Sequence, residues 1–246
     1  NRVLEQMTDF ARNYVKQLPD FICTQVTRRH YDPSGLEFWK LADTITEKLS
    51  YFERSEKYEL VLVNNTPAQG KTRDDLGGTT SAGEFGSTMA ELFDPETRAE
   101  FAWDRWATLR SKRAHVFTYR VRRPRSKFTI VYQRQLSDTP GYKGFVYADA
   151  DSGLILRITR DAEDVPPDFP IQRVRQITDY DFTKIGDQEY LLPLKSVIRS
   201  ADERLLVKNE VEFRMYRKFG TESTITFTPD ALPENVTTEK PPPQQN

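Results

Sequence analysis

The residues of this chain that could do chemistry are few, and none completes a reactive set. Asp149-Ala150-Asp151-Ser152-Gly153 opens like a calcium loop. An EF-hand loop needs Gly at its sixth position and a bidentate Glu at its twelfth, and here those positions hold Leu154 and Arg160. Turn chemistry is the better reading: short polar side chains fold back on the backbone, and a late Gly takes positive φ. Asp161, Glu163, Asp164 and Asp168 form a carboxylate cluster that could hold a metal or act as acid and base. It has no histidine and no ligand spacing beside it, so a solvated strand end is favoured. His30 and His115 stand alone. The glycines at 77–78 and 83–86 lack a phosphate loop's lysine and spacing, and no serine sits in a Gly-x-Ser-x-Gly elbow. Basic residues crowd 122–127, but a net charge of -1 gives the whole chain no field toward nucleic acid. Cys23 is the single cysteine, which rules out an intramolecular disulfide and reads as a small buried hydrophobe. No catalytic residue, metal or cofactor is expected.

What remains is a matter of faces. Hydrophobic residues make up 37% of 246, a low share, yet aromatics reach 12%, too many for a disordered chain. A sheet with one wet and one apolar face gives that balance. Residues 3–18 carry Leu4, Met7, Ala11, Tyr14, Val15 and Leu18 at helical spacing and end before Pro19, which predicts an amphipathic helix. Strands are predicted over 21–29, 36–53, 57–63, 113–121, 128–132, 145–148, 154–159, 171–183, 189–200, 205–218 and 221–228. The long run 36–53 is expected to bend or carry a bulge. Its phase comprises Trp39, Leu41, Ile45, Leu49 and Tyr51, while Leu205, Val207, Val211, Phe213 and Met215 form another. Thr88 with Glu91, and Asp94-Pro95, predict two helical starts. The polar stretch 64–83 is a flap or a mobile loop. The expected architecture is mainly β with α: a large curved antiparallel sheet, an unclosed barrel of roughly ten to eleven strands. The N-terminal helix and a short mid-chain helical insert lie in its concave side. One domain spans 1–228, and 229–246 is a polar, proline-rich tail.

This order resembles the LolA/LolB-like group of bacterial envelope proteins and its sensor relative, RseB. The resemblance rests on the helix before Pro19, Leu92-Phe93-Asp94-Pro95, the hairpin 147–154, and Asp179-Tyr180-Asp181-Phe182 before Leu192-Pro193. It implies an unclosed barrel whose concave apolar face binds acyl chains, in the periplasm or secreted. No ligand-gating residue of the carriers has a counterpart here, and the 64–83 loop and the tail depart from them.

The alternating aromatics supply the candidate site. Phe117, Tyr119, Phe128, Ile130, Phe145, Tyr147, Val211 and Phe213 would line the concave face, with Trp103, Trp106 and the 64–83 loop as a lid. The leading expectation is a non-enzymatic, monomeric envelope protein that binds a lipid, an acyl chain or a lipoprotein. The alternative is a sensor or interaction module that binds an envelope protein partner, for instance through an edge strand. A hydrolase using residues 161–168 ranks last. Neither nucleic acid nor a membrane-spanning segment is expected.

Overall fold

A computed structural model describes residues 2–76, 85, 87–133, 135–202, 205–220 and 238–240. Helix α1 (Arg2–Gln17) forms on the predicted spacing and buries Met7, Ala11 and Tyr14. Strands β1 (Phe21–Asp32), β2 (Lys40–Phe52), β3 (Ser55–Val63) and β4 (Thr66–Pro67) follow, then helix α2 (Ser87–Leu92). Next come β5 (Glu100–Leu109), β6 (Lys112–Val121), β7 (Ile130–Tyr132), β8 (Leu136–Asp138), β9 (Gly141–Asp149) and β10 (Ile155–Glu163). The last strands are β11 (Arg173–Ile185), β12 (Gln188–Ala201), β13 (Leu206–Lys218) and β14 (Glu239–Lys240).

Twelve strands form one antiparallel sheet in the order β14-β5-β6-β9-β10-β11-β12-β13-β1-β2-β3-β4, eleven of them besides the two-residue β14. Its ends do not pair with each other, so the barrel is unclosed. From β9 to β13 the chain is a plain meander. The turn that starts it works as its residues predict. Asp149 Oδ1 accepts the backbone N–H groups of Asp151 and Ser152, and Gly153 takes φ +72. A Cβ on Gly153 would also press on Gln6 of α1, at 2.9 Å, so this turn and the helix fit only without a side chain there. At Gly144 the constraint is tighter, because a Cβ would lie 1.9 Å from the Thr159 carbonyl oxygen. The Tyr119 hydroxyl donates to that same oxygen over 2.6 Å.

The bulge expected in the run 36–53 is present in β2, and other expectations need correction. Phe128 and Ile130 do not belong to the large sheet: β7 pairs with β8 as a separate hairpin, and Ile130 packs with Phe169 and Ile171. Thr88 caps no helix but lies inside α2, and Asp94-Pro95 opens a turn closed by the Thr97 N–H bonding the Asp94 carbonyl over 3.0 Å. Two bulges also break the alternation. Ala42 is skipped between the pairs Arg29–Asp43 and His30–Leu41, which turns Leu41 away from Ile45 and leaves it 55% exposed. Met215, at φ +52, falls in a register shift of β13 and is 43% exposed, although Val211 and Phe213 are buried. The strand predicted at 221–228 and most of the tail lie outside the described residues.

Candidate binding surfaces

Call the face bearing α1 and α2 inner and the other outer. At the β6–β9–β10 end the inner face is a dry, aromatic core. Met7, Ala11 and Tyr14 of α1 and Met89 and Leu92 of α2 pack on Phe117, Tyr119, Val121, Tyr142, Val146 and Ile158. The Tyr14 hydroxyl donates to the Leu191 carbonyl over 2.8 Å, and the Arg12 Nε donates to the Phe93 carbonyl over 3.2 Å, fastening the helix at both sides. Burial drives the Tyr14 and Tyr119 hydroxyls well above the ordinary phenol range, so both stay protonated donors.

The predicted lining residues therefore part company. Phe117 and Tyr119 (1% and 2% exposed) lie under the helices, and Val211 and Phe213 are buried with Phe21, Leu49 and Phe85 in the adjoining cluster. Phe128 touches the first cluster from its own connection, its ring 5.9 Å from Tyr142, and Ile130 sits beyond it. Phe145 and Tyr147 face outward. Register decides this: Phe117 pairs with Val146 and Val116 with Tyr147, so Tyr147 shares a face with Val116 and not with Phe117. Both strands alternate, and sequence alone does not say which phase of one matches which phase of the other. Trp103 and Trp106 stand at the free edge. Trp103 is 49% exposed and its Nε1 donates to His115 Nδ1 over 3.2 Å. Trp106 stacks on His115 at 3.9 Å, and Arg113 lies 3.9 Å over its ring.

Toward β1 and β2 the inner face turns polar yet stays buried. Register lays Arg160, Gln176, Ile198, Asn209, Arg29 and Asp43 in one row across the strands, with Thr178, Ser196 and Thr27 in the next. Arg160 donates to Gln176 Oε1 over 2.5 Å, and the Thr178 and Ser196 hydroxyls are 3.1 Å apart. Further along, Glu47, 2% exposed, accepts from Gln25 over 3.0 Å and from both Nε and NH2 of Arg73 over 2.8 and 2.7 Å. Arg73 belongs to a short 3-10 turn, Arg73–Leu76, and lies 4.0 Å over the Tyr58 ring. The first part of the 64–83 stretch thus straps the sheet, and residues 77–83 lie outside the described residues.

Arg160 is unlike the other buried arginines. Arg28 and Arg214 meet Glu212, Arg29 meets Asp43, and Arg157 and Arg110 both meet Asp179. Arg160 is 8% exposed and meets no carboxylate within ion-pair distance among the described residues, and its Nε has no acceptor there. It lies 4.0 Å over the Phe128 ring and 5.7 Å from that of Tyr142. Stacking of this kind is worth about 0.5–2 kcal/mol, and one hydrogen bond from a charged group about 1.5–3 kcal/mol. Removing a guanidinium from water costs several kcal/mol, so these contacts offset the burial and leave little over.

On the outer face, β5 presents a sheet edge on which, among the described residues, β14 alone pairs, Glu239 with Leu109 and Lys240 with Thr108. Arg105 NH2 donates to Glu239 Oε1 over 3.2 Å, and the Tyr147 hydroxyl donates to Glu239 Oε2 over 2.8 Å. Burial, reinforced by that bond to Glu239, pushes the Tyr147 hydroxyl up to about 12, so it remains a donor. Arg105 also lies 5.2 Å from the Phe145 ring. Tyr147 and Arg105 thus hold a segment, and it is the chain's own tail.

The remaining candidates have local explanations. Asp161 faces Arg175 at 3.5 Å, and Glu163 is paired with Arg120 and Lys143 at 2.8 and 2.7 Å. Burial raises the Asp161 carboxyl, whereas for Glu163 the two cations outweigh burial and lower it. In the basic stretch, Arg122 pairs with Glu100, Arg123 with Asp138 and Lys127 with Asp94. Cys23 is 1% exposed, and burial raises its thiol, which keeps it unreactive. A pocket of about 290 Å³ opens on the outer face where the two bulges turn Leu41 and Met215 beside Val26 and Arg28. Nothing in the alternation of the sequence marks it. No described helix is long and apolar enough to cross a membrane.

No family model matches the chain, and no curated protein matches it. Among solved structures it is similar to a DUF1329 family protein from Desulfovibrio piger, at 10% identity over 89% of this chain and 94% of that one, with a TM-score of 0.42. It is similar to an outer membrane lipoprotein-sorting protein domain from Vibrio parahaemolyticus, at 10% identity over 89% and 95%, with a TM-score of 0.40. A LolA superfamily protein from Nitrosomonas europaea is similar at 8% identity over 95% and 96%, with a TM-score of 0.38.

Proposed function

We infer that this chain is a non-enzymatic binding module of the cell envelope that takes an extended, acidic segment of a partner protein along the β5 edge. The observation that carries this reading is β14, seated on that edge with its Glu239 carboxylate held by Arg105 and Tyr147. Strand addition of this kind draws affinity from main-chain hydrogen bonds and specificity from alternate side chains. The bulge between Trp103 and Arg105 ends the straight run, so the docking length is Arg105 to Leu109. Trp106, on the same run, offers an aromatic surface to a neighbouring residue of the partner. The acyl-chain reading asks for more. Phe117, Tyr119, Val211 and Phe213 are already packed, and a lipid tail on that face has to displace α1 or α2.

Glu239→Ala tests the reading in the whole chain. Amide hydrogen exchange at Thr108 and Leu109 is expected to accelerate, and a synthetic peptide of the chain's own sequence 236–240 is expected to slow it again. The same peptide with Lys in place of its Glu should fail to do so. If the edge opens in the variant and the unaltered peptide restores no protection, the strand-addition reading falls.

A further inference from the structure

We propose that Arg160 is the anchor of an oxyanion-binding site on the inner face, a site that goes beyond the strand-addition reading and does not rest on it. Arg29 and Arg157, buried to a similar degree, and half-buried Arg28, Arg110 and Arg214 each face a carboxylate, whereas Arg160, at 8% exposure, donates to an amide oxygen, lies against two aromatic rings and has no acceptor at its Nε among the described residues. A planar guanidinium whose Nε is left over beside its bond to Gln176 is well shaped for a carboxylate or a phosphate.

Among the described residues, the neighbouring acidic groups are engaged elsewhere. Asp161, next along β10, points to the opposite face and meets Arg175. Glu91 accepts the Tyr142 hydroxyl over 3.1 Å and the Lys127 N–H over 2.9 Å. Beside Arg160 the sheet offers further polar groups: Gln176 Nε2 lies 3.4 Å from Ser196 Oγ, and Ser196 is bonded in turn with Thr178. The ligand is therefore an oxyanion whose charge meets Arg160 and whose remaining polar atoms meet this belt. Access lies through Phe128. Its ring covers the guanidinium, and it is carried by the connection from β6 to β7 rather than by the large sheet. The aromatic cluster of Tyr119, Tyr142 and Phe128 adjoins the site, so the same oxyanion can belong to a free ion or to the head of an amphiphile.

Calorimetric titration of the whole chain with inorganic phosphate, with dodecanoate and with methyl dodecanoate separates these sources. Saturable one-to-one binding of phosphate supports a free oxyanion, and binding of dodecanoate without phosphate or the ester supports an amphiphile head. Either is expected to weaken about tenfold or more in Arg160→Met, which keeps an unbranched apolar side chain and removes the guanidinium. A second reading needs no variant: bound anion should slow amide exchange in wild-type protein at residues 158–162 and 176–178. Failure of both anions to bind, equal binding of the ester, binding unchanged in Arg160→Met, or exchange unaltered at those residues by a bound anion would each overturn the site.

Discussion

The inner face is one sheet surface built in two ways. Over β6, β9 and β10 it is aromatic, and two helices close it. Along part of β11, β13, β1 and β2 it is lined by Gln176, Thr178, Asn209, Gln25, Glu47 and Arg29, all 9% exposed or less. Burial is nearly equal in the two regions, but what sustains it differs. The first region gains from every apolar atom removed from water and asks little of geometry. The second depends on its hydrogen bonds, because a buried polar group left alone costs more than a made hydrogen bond returns. The apolar half therefore tolerates small changes of shape but not loss of volume. The belt tolerates loss of paired groups together but not singly.

Removing volume from the dry half should give the largest effect. Phe117→Ala is expected to lower the unfolding free energy by about 3–5 kcal/mol, because α1 and the sheet close only partly over the cavity. Urea unfolding measures it, and a loss below about 1 kcal/mol would mean that α1 does not press on this ring. In the belt, Thr178→Val and Ser196→Ala should each cost about 1 kcal/mol by orphaning the other hydroxyl. The double variant should lose clearly less than the sum of the two. Strict additivity in that cycle would remove the distinction between the halves.

The sequence made the first half legible and hid the second. Helix α1, the Asp149–Gly153 turn, the meander and the open antiparallel sheet follow from spacing, turn residues and alternation, all of which are local. Phe117 and Tyr119 were legible as inward for the same reason. What escaped depends on register between distant strands. Nothing near Tyr147 tells that it pairs with Val116, and nothing in the run 205–218 announces the bulge that turns Met215 out. The belt escaped for another reason. Thr178, Gln176 and Asn209 are polar residues in alternating strands, which a one-strand reading assigns to solvent. Only their neighbours across five strands show them buried. The tail on β5 had no signal at all, since two residues beside a proline run carry no period.

The smallest effect concerns protonation at the rim of the dry half. Burial, followed by the nearby Arg113, lowers the His115 pKa below the ordinary imidazole value, so the folded state prefers it neutral. The unfolded chain, near about 6.5, takes up the proton first as the solution is acidified. Stability supplied by neutral His115 is then present above about pH 6.5 and drains away as the pH falls through that value toward the folded pKa. His30 is lowered by burial and by Lys208 and acts in the same direction, so the comparison has to be made between proteins. The difference in unfolding free energy between wild type and His115→Gln should shrink on going from pH 7.5 to about pH 5.5, while His30 contributes equally to both. A difference independent of pH would show that His115 is as free to ionise in the folded state as in the unfolded chain. The stack of Trp103, Trp106 and Arg113 around it would then be solvated edge and not a continuation of the dry core.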